Sequence, residues 1–197
     1  MINVLYVHGI GSAGGGNTVE LFKKYFPNYH IDSPDIPENP NKAITFLRGI
    51  ANNYDIVIGT SLGGFYTMQL FGPMKILINP AMNAPTSIAN IGMGEHPYFK
   101  PRKDGKTTYI IDTTYIDTLK KLYDDFFTNC FDFESKLETY AIFGNNDTVC
   151  NCQKLFKEKY YAENMVIADF GHRMTEEVFV STFIPLFNNI VKKLEEN

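Results

Sequence analysis

The chain has 197 residues, of which 44% are hydrophobic, and a formal net charge of -4. This length supports one sizeable core, so we expect a single domain over residues 1–197, as a monomer or small homo-oligomer. The negative charge and the scattered lysines and arginines argue against a nucleic-acid partner. No apolar run approaches the roughly 20 residues that span a bilayer, and no basic leader precedes the first apolar segment, so we expect a cytoplasmic protein without a membrane partner.

Short apolar segments alternate along the chain with segments of helical pattern. The predicted strands are 4–8, 29–31, 56–59, 76–78, 140–143 and 166–168. The predicted helices are 18–26, 41–53, 62–71, 113–129, 152–161 and 175–195. Because parallel strands need crossover connections, this alternation predicts an α/β fold with a mostly parallel six-stranded sheet and helices on both faces. The functional loops are then expected at the carboxyl edge of the sheet.

Residues 79–112 interrupt the alternation. This segment contains Pro80, Pro85, Pro97 and Pro101 with several glycines, and it is longer than an ordinary connection. It leaves the sheet at the functional edge, so we expect an irregular cover over the site and not a second domain.

A G-x-S-x-G motif, Gly59-Thr60-Ser61-Leu62-Gly63, stands between a predicted strand and a predicted helix. A serine on such a sharp turn needs small neighbours two positions away, and the turn lifts its hydroxyl clear of the sheet. The motif predicts Ser61 as a nucleophile. The Leu62 amide at the start of the helix is then expected to bind an oxyanion.

A serine nucleophile needs a base, and His172 follows the last predicted strand on a loop at the functional edge. Asp147 follows the preceding strand, which places Ser61, Asp147 and His172 in the chain order of α/β hydrolases. The carboxylate would orient the imidazole and stabilise its charged form. Asp169 is the rival acid, but it lies just before His172 on the same turn.

The loop after the first strand predicts a second oxyanion donor. In His8-Gly9-Ile10-Gly11 the backbone is expected near Ser61, and the Ile10 amide is favoured, with Gly11 or Ser12 as alternatives.

The same loop permits a nucleotide-binding interpretation. Gly9, Gly11 and Gly14 match G-x-G-x-x-G, and Asp32 follows the second strand where a ribose-binding acid belongs. The predicted helix starts only near Thr18, however, too late to meet a pyrophosphate.

Three cysteines, Cys130, Cys150 and Cys152, fit neither a disulfide framework nor a complete zinc site, and we expect reduced, inert thiols. A Cys-x-Cys metal half-site is the alternative.

Several further motifs carry a family resemblance over nearly the whole chain. These are Leu5-Tyr6-Val7-His8-Gly9, Pro34-Asp35-Ile36-Pro37, Ile78-Asn79-Pro80-Ala81, Gly94-Glu95-His96-Pro97-Tyr98, Gly144-Asn145-Asn146-Asp147-Thr148-Val149 and Phe170-Gly171-His172. With the serine motif, they resemble the small bacterial YqiA/YcfP-like esterases of the α/β-hydrolase superfamily. The chain departs from that group around 103–106 and in the run Gly14-Gly15-Gly16, where substrate preference would be affected.

The resemblance implies a compact α/β-hydrolase fold and hydrolysis of small acyl esters or acyl thioesters, with no metal or organic cofactor. It assigns the nucleophile, acid and base to Ser61, Asp147 and His172. An acyltransferase with the same triad is the alternative, and a catalytically idle binding module is a further one. Five residues are predicted to contact substrate: Gly9, Tyr66, Met82, His96 and Tyr98.

Overall fold

The computed structural model describes residues 2–196 and is built around a parallel sheet. In these residues the strands are β1 (Asn3–Val7), β2 (His30–Asp32), β3 (Ile56–Thr60), β4 (Met74–Ile78), β5 (Gly94–Pro97), β6 (Thr108–Ile111), β7 (Thr139–Gly144) and β8 (Met165–Ala168). Six of them form one sheet in the order β2-β1-β3-β4-β7-β8, and all neighbouring pairs are parallel. The predicted six-stranded sheet is confirmed.

Helices follow the strands in the expected alternation. Those in the described residues are α1 (Asn17–Tyr25), α2 (Pro40–Ile50), α3 (Leu62–Thr67), α4 (Ala84–Ala89), α5 (Thr113–Asp125), α6 (Phe133–Leu137), α7 (Gln153–Lys159), α8 (Glu176–Val178) and α9 (Ile184–Glu195). The helix predicted at 62–71 ends earlier, because the Gln69 and Leu70 N–H groups bond to carbonyls three residues back in a tighter turn. None of the described helices is long and apolar enough to cross a membrane.

Alternate residues of each strand pack on opposite faces of the sheet. In β3, Val57 packs with residues of α2, α3 and α5, whereas Ile56 and Ile58 pack with residues of α1 and α9. All three side chains are fully buried, and each such burial stabilises the fold by about 1.5–3 kcal/mol. Strands buried on both faces read as continuous apolar runs, and this is why the sequence locates them.

Residues 79–112 are more regular than the sequence predicts. They contain α4 and an antiparallel hairpin of β5 and β6, so the expectation of an irregular segment is wrong. Pro85 lies in the first turn of α4, where its missing N–H costs no hydrogen bond. In β6, buried Tyr109 and Ile111 alternate with exposed Ile110, a strand signal that the surrounding prolines and glycines obscure.

Candidate active site

Ser61 lies on the sharp turn between β3 and α3, with a φ of 55° and a ψ of -121°. Residues other than glycine rarely adopt a positive φ, so this backbone is strained and its surroundings must hold it. The Ser61 N–H donates to the Ile78 carbonyl at 3.1 Å, and the Ser61 carbonyl accepts from the Ala81 N–H at 2.9 Å. The turn is thereby tied to the end of β4.

The two glycines of the serine motif let strand, turn and helix pack closely. A Cβ on Gly63 would lie 2.1 Å from the Val7 carbonyl oxygen, and a Cβ on Gly59 would lie 2.3 Å from Thr67 Oγ1. A larger residue at either position would push α3 away from the sheet. Packing therefore requires both glycines.

Asp147 and His172 meet at the carboxyl edge of the sheet. His172 Nδ1 and Asp147 Oδ2 are 2.9 Å apart, and Asp147 Oδ1 accepts from the Val149 and Cys150 amides. Burial acts to raise the pKa of Asp147, but the hydrogen bond to His172 and the two amide bonds outweigh it and hold this pKa below its usual value. Asp169, the rival acid, instead accepts a hydrogen bond from Asn146 at 2.7 Å.

Asn79 holds the His172 loop against the sheet. Its side-chain amide donates to the Gly171 and His172 carbonyls at 2.9 and 3.2 Å, and its Oδ1 accepts from the Gly144 N–H at 2.7 Å. Asn79 is completely buried and has a positive φ of 42°. One side chain thus connects the ends of β4 and β7 to the loop that carries the histidine.

His8 fixes the loop predicted to supply the second oxyanion donor. The Ile36 N–H donates to His8 Nε2 at 3.1 Å, and His8 Nδ1 lies 2.9 Å from the Gly9 carbonyl oxygen. These partners assign a neutral ring with its proton on Nδ1. The Gly9 carbonyl and the Ile10 N–H belong to one planar trans peptide, so the Ile10 N–H points away from the His8 ring.

Gly9 and Ser61 are in close contact. A Cβ on Gly9 would lie 3.1 Å from Ser61 Cβ, so only a residue without a side chain lets this loop approach so closely. Leu62 is the first residue of α3, where the leading N–H groups have no partner within the helix. Leu62 therefore follows Ser61 directly, and the loop of Gly9 and Ile10 lies against the same turn.

A cleft of about 750 Å³ contains Ser61 and His172. The two residues have no direct hydrogen bond in the described part of the chain, and such bonds often tighten only when substrate binds. The cleft is lined by Tyr6, Gly9, Ile10, Ser12, Gly15, Gly16, Asn17, Thr18, Thr60, Ser61, Ile78, Ser87, Ile88, Ile91, Phe99, Lys100, Tyr109, Val149, Cys150, His172, Arg173 and Met174.

Four of the five predicted substrate contacts do not line this cleft. Met82 is buried in the core, and His96 bonds to the Gly92 carbonyl and stacks on Tyr109. Tyr66 and Tyr98 line a separate cavity of about 30 Å³ behind the Gly9 loop. These four side chains lie away from the cleft because packing between distant segments decides which face of each element meets it. Gly9 does line it.

Sequence reasoning missed several residues of the cleft, among them Ile88, Phe99, Lys100 and Arg173. Proximity to His172 along the chain was the available signal for Arg173. The others, Ile88, Phe99 and Lys100, lie in parts of residues 79–112 where no periodic pattern distinguishes inward from outward positions.

Cys150 is the neighbour of the Ser61 hydroxyl. Its Sγ lies 3.9 Å from Ser61 Oγ, and burial raises the pKa of the Cys150 thiol to about 12. At neutral pH the sulfur is therefore a thiol and not the nucleophilic thiolate. Within residues 2–196, no group of three or more His, Cys, Asp or Glu side chains is arranged to hold a metal ion.

The glycine-rich loop binds other parts of the chain. The Gly14 N–H donates to Asp35 Oδ1 at 2.6 Å, and the Gly15 N–H donates to Ser33 Oγ at 2.8 Å. Asp32, the predicted ribose ligand, accepts from the Tyr54 hydroxyl. These contacts occupy groups that a pyrophosphate and a ribose would need, which disfavours the nucleotide-binding interpretation.

The sheet order and the serine turn define an α/β-hydrolase fold, and solved α/β hydrolases share it. Monoacylglycerol lipase from Paleococcus ferrophilus matches with a TM-score of 0.62 at 13% identity, over 96% of this chain and 94% of that chain. Est1E from Butyrivibrio proteoclasticus matches with a TM-score of 0.65 at 11% identity, over 97% of this chain and 88% of that chain. Alpha/beta hydrolase domain-containing protein 10 from mouse matches with a TM-score of 0.64 at 14% identity, over 98% of this chain and 90% of that chain. The predicted fold is confirmed.

The chain also matches a family model. The model of the Uncharacterised protein family (UPF0227) matches residues 3–183. The chain belongs to this family, which is the YqiA/YcfP family that its motifs resemble.

We predict that Asn79→Ala lowers the free energy of unfolding by about 1–3 kcal/mol, because buried partners of the amide lose their hydrogen bonds. Asn79→Gly is the control, since glycine adopts the positive φ without strain but loses the same bonds. Urea denaturation measures both. An unchanged midpoint for both variants would show that the Asn79 bonds contribute nothing.

Because His8 is buried, we predict that the free energy of unfolding depends on pH. Burial lowers the pKa of His8 in the folded protein. As the pH falls below about 6.5, the unfolded chain binds the proton more readily, so the free energy of unfolding decreases until the folded pKa is passed. We expect His8→Gln to flatten this decrease, as measured by urea denaturation at pH 7 to 5; equal slopes would contradict the assignment.

We predict that the Cys150 thiol is alkylated slowly. With a pKa of about 12, only about 0.01% of this thiol is ionised at pH 8. In the folded protein we expect iodoacetamide to modify Cys130 well before Cys150, whereas urea-unfolded protein is modified at both. Mass spectrometry of timed samples decides the order, and early modification of Cys150 would refute the protonated state.

Proposed function

We propose that the protein is a serine hydrolase that cleaves small carboxylic esters or acyl thioesters through an acyl-enzyme on Ser61. The observation that carries the proposal is the Asp147–His172 hydrogen bond, with His172 lining the same cleft as Ser61 on its strained strand-to-helix turn. The solved structures with this fold include a monoacylglycerol lipase, and this supports the same class of chemistry.

In the proposed first step, Ser61 Oγ attacks the acyl carbon while His172 Nε2 takes the hydroxyl proton. Asp147 holds the imidazole through Nδ1 and stabilises its positive charge. The Ile10 and Leu62 amides bind the oxyanion of the tetrahedral intermediate. When that intermediate collapses, the bond from the acyl carbon to the leaving oxygen or sulfur breaks, and His172 returns its proton to the leaving group.

In the second step, water replaces the alcohol or thiol. His172 takes a proton from the water, the hydroxide adds to the acyl carbon, and the ester bond to Ser61 breaks. The serine regains its proton from His172, and a carboxylic acid is released. An acyltransferase would use an alcohol or thiol as the second acceptor, so the products of turnover in the presence of an added alcohol separate the two reactions.

We predict that Ser61→Ala lowers the rate of p-nitrophenyl butyrate hydrolysis by at least about 1,000-fold, because the covalent intermediate cannot form. Asp147→Asn is expected to lower kcat by a similar order, since the imidazole loses its orienting acceptor. Acetate and octanoate esters measured in parallel define the preferred acyl length.

The matched control is Ser87→Ala, which removes another serine hydroxyl from the same cleft. A fluorophosphonate should label Ser61 in the wild type and fail to label Ser61→Ala, as read by peptide mass spectrometry. Labelling of another serine, or hydrolysis by Ser61→Ala at the wild-type rate, would refute the proposal.

A further inference from the structure

The cleft around Ser61 has two chemically different walls. One, the apolar wall, consists of Ile88, Ile91, Val149 and Cys150. Ile91 and Val149 are 39% and 49% exposed, and the Cys150 thiol lies beside Ser87 of α4. These residues offer an acyl chain a surface to bury, which favours its binding by about 25 cal/mol per Å².

A second group of lining residues, the cationic wall, brings together Phe99, Lys100 and Arg173. The Phe99 N–H donates to the Gly11 carbonyl at 2.7 Å, and the Arg173 guanidinium lies 5.6 Å from the centre of the Phe99 ring. Lys100 Nζ lies 3.3 Å from the position that a Cβ on Gly16 would occupy. Three segments distant in sequence thus place two cations along one side of the cleft.

Among residues 2–196, no acidic side chain lines the cleft beside these cations. The residues lining the cleft include neither Asp nor Glu, although the chain has 22 acidic and 18 basic residues. Neither Lys100 nor Arg173 makes an ion pair with any residue between 2 and 196. Asp35 lies on the neighbouring loop, but its oxygens accept from the Gly14 and Lys103 amides.

The start of α1 adds to the positive potential of this wall. The helix begins at Asn17, has nine residues and has no side-chain cap at Gly16. Its leading N–H groups have no intrahelical partner and its dipole favours an anion, while Glu20 in its first turn does not line the cleft. Gly16, Asn17 and Thr18 all line the cleft.

The chemistry of acyl transfer decides which part of a substrate meets the cationic wall. His172 must return its proton to the leaving oxygen or sulfur, so the leaving group lies beside His172. Arg173 is the next residue and belongs to the cationic wall. The leaving alcohol or thiol therefore lies against the cations, and the acyl group lies against the apolar wall.

We propose that the substrates are esters or thioesters with an apolar acyl group and a leaving alcohol or thiol that carries a phosphate or carboxylate, which Lys100 and Arg173 bind. This inference rests on the proposed hydrolase function. It adds the charge of the substrate and the side of the scissile bond on which that charge lies.

Two matched substrate pairs test the charge and distinguish its chemical source. The carboxylate pair is 4-(butyryloxy)phenylacetate and its primary amide, and the phosphate pair is 4-(butyryloxy)benzyl phosphate and the corresponding benzyl alcohol. For at least one pair we expect the wild type to favour the anion in kcat/KM by about tenfold, the effect of two partly exposed ion pairs and a helix terminus together. The pair with the larger ratio of kcat/KM between anionic and neutral ester shows whether the cations prefer a carboxylate or a phosphate.

The double variant Lys100→Met and Arg173→Met should bring this ratio close to one. Lys42→Met is the matched control, because it removes an exposed cation that does not line the cleft, and it should keep the wild-type ratio. A third pair, monophenyl adipate and phenyl hexanoate, places the charge in the acyl part instead. There we expect no preference for the anion.

A wild-type ratio near one for both leaving-group pairs, a ratio that survives in the double variant, or a preference for the adipate ester would overturn the inference. Failure of the proposed hydrolase function would give a different result from failure of this inference. In that case hydrolysis of the neutral esters would not depend on Ser61. Calorimetric binding of 4-(butyryloxy)benzyl phosphate and 4-(butyryloxy)phenylacetate to Ser61→Ala gives a readout without turnover. At least one should bind more tightly than its neutral partner, and equal binding in both pairs would count against the inference.

Discussion

The close approach of α3 to β1 at Gly63 is the contact on which the site depends. Gly63 has no Cβ, so its backbone can lie against the carbonyl oxygens of Val7 and His8. This contact holds the start of α3 over the end of β1 and constrains Ser61 to its positive φ. Such strain costs about 1–3 kcal/mol, and the complete burial of α3 residues such as Phe65 offsets it.

Asn79 extends this constraint to the histidine loop. Ser61 and Asn79 are the non-glycine residues with positive φ in the described chain. They directly follow β3 and β4, which are neighbouring strands of the sheet. The Ser61 amide bonds to the carbonyl before Asn79, and the Asn79 side chain bonds to the loop of His172. The central strands, which are the most buried part of the fold, therefore set the relative position of the serine and the histidine.

Local patterns in the sequence predicted the sheet and the three residues proposed for the triad. Gly59 and Gly63 mark the serine turn because no other residue fits there, and this requirement is visible in five consecutive letters. Asp147 and His172 follow apolar strands whose carboxyl ends share one edge, so their proximity follows from a parallel sheet. The choice of Asp147 over Asp169 also rested on chain order, and the hydrogen bonds agree with it.

The sequence by itself determined the fold and the chain order of the candidate triad, because these depend on local turns and on the hydrophobic period of each strand. Only the tertiary structure decided which side chains line the cleft. Tyr66 lines another cavity and Met82 lies in the core, whereas Lys100 and Arg173 line the cleft, where Arg173 lies over the Phe99 ring. The reason is physical: these positions depend on packing between segments far apart in the chain, and such packing leaves no periodic signal in either segment.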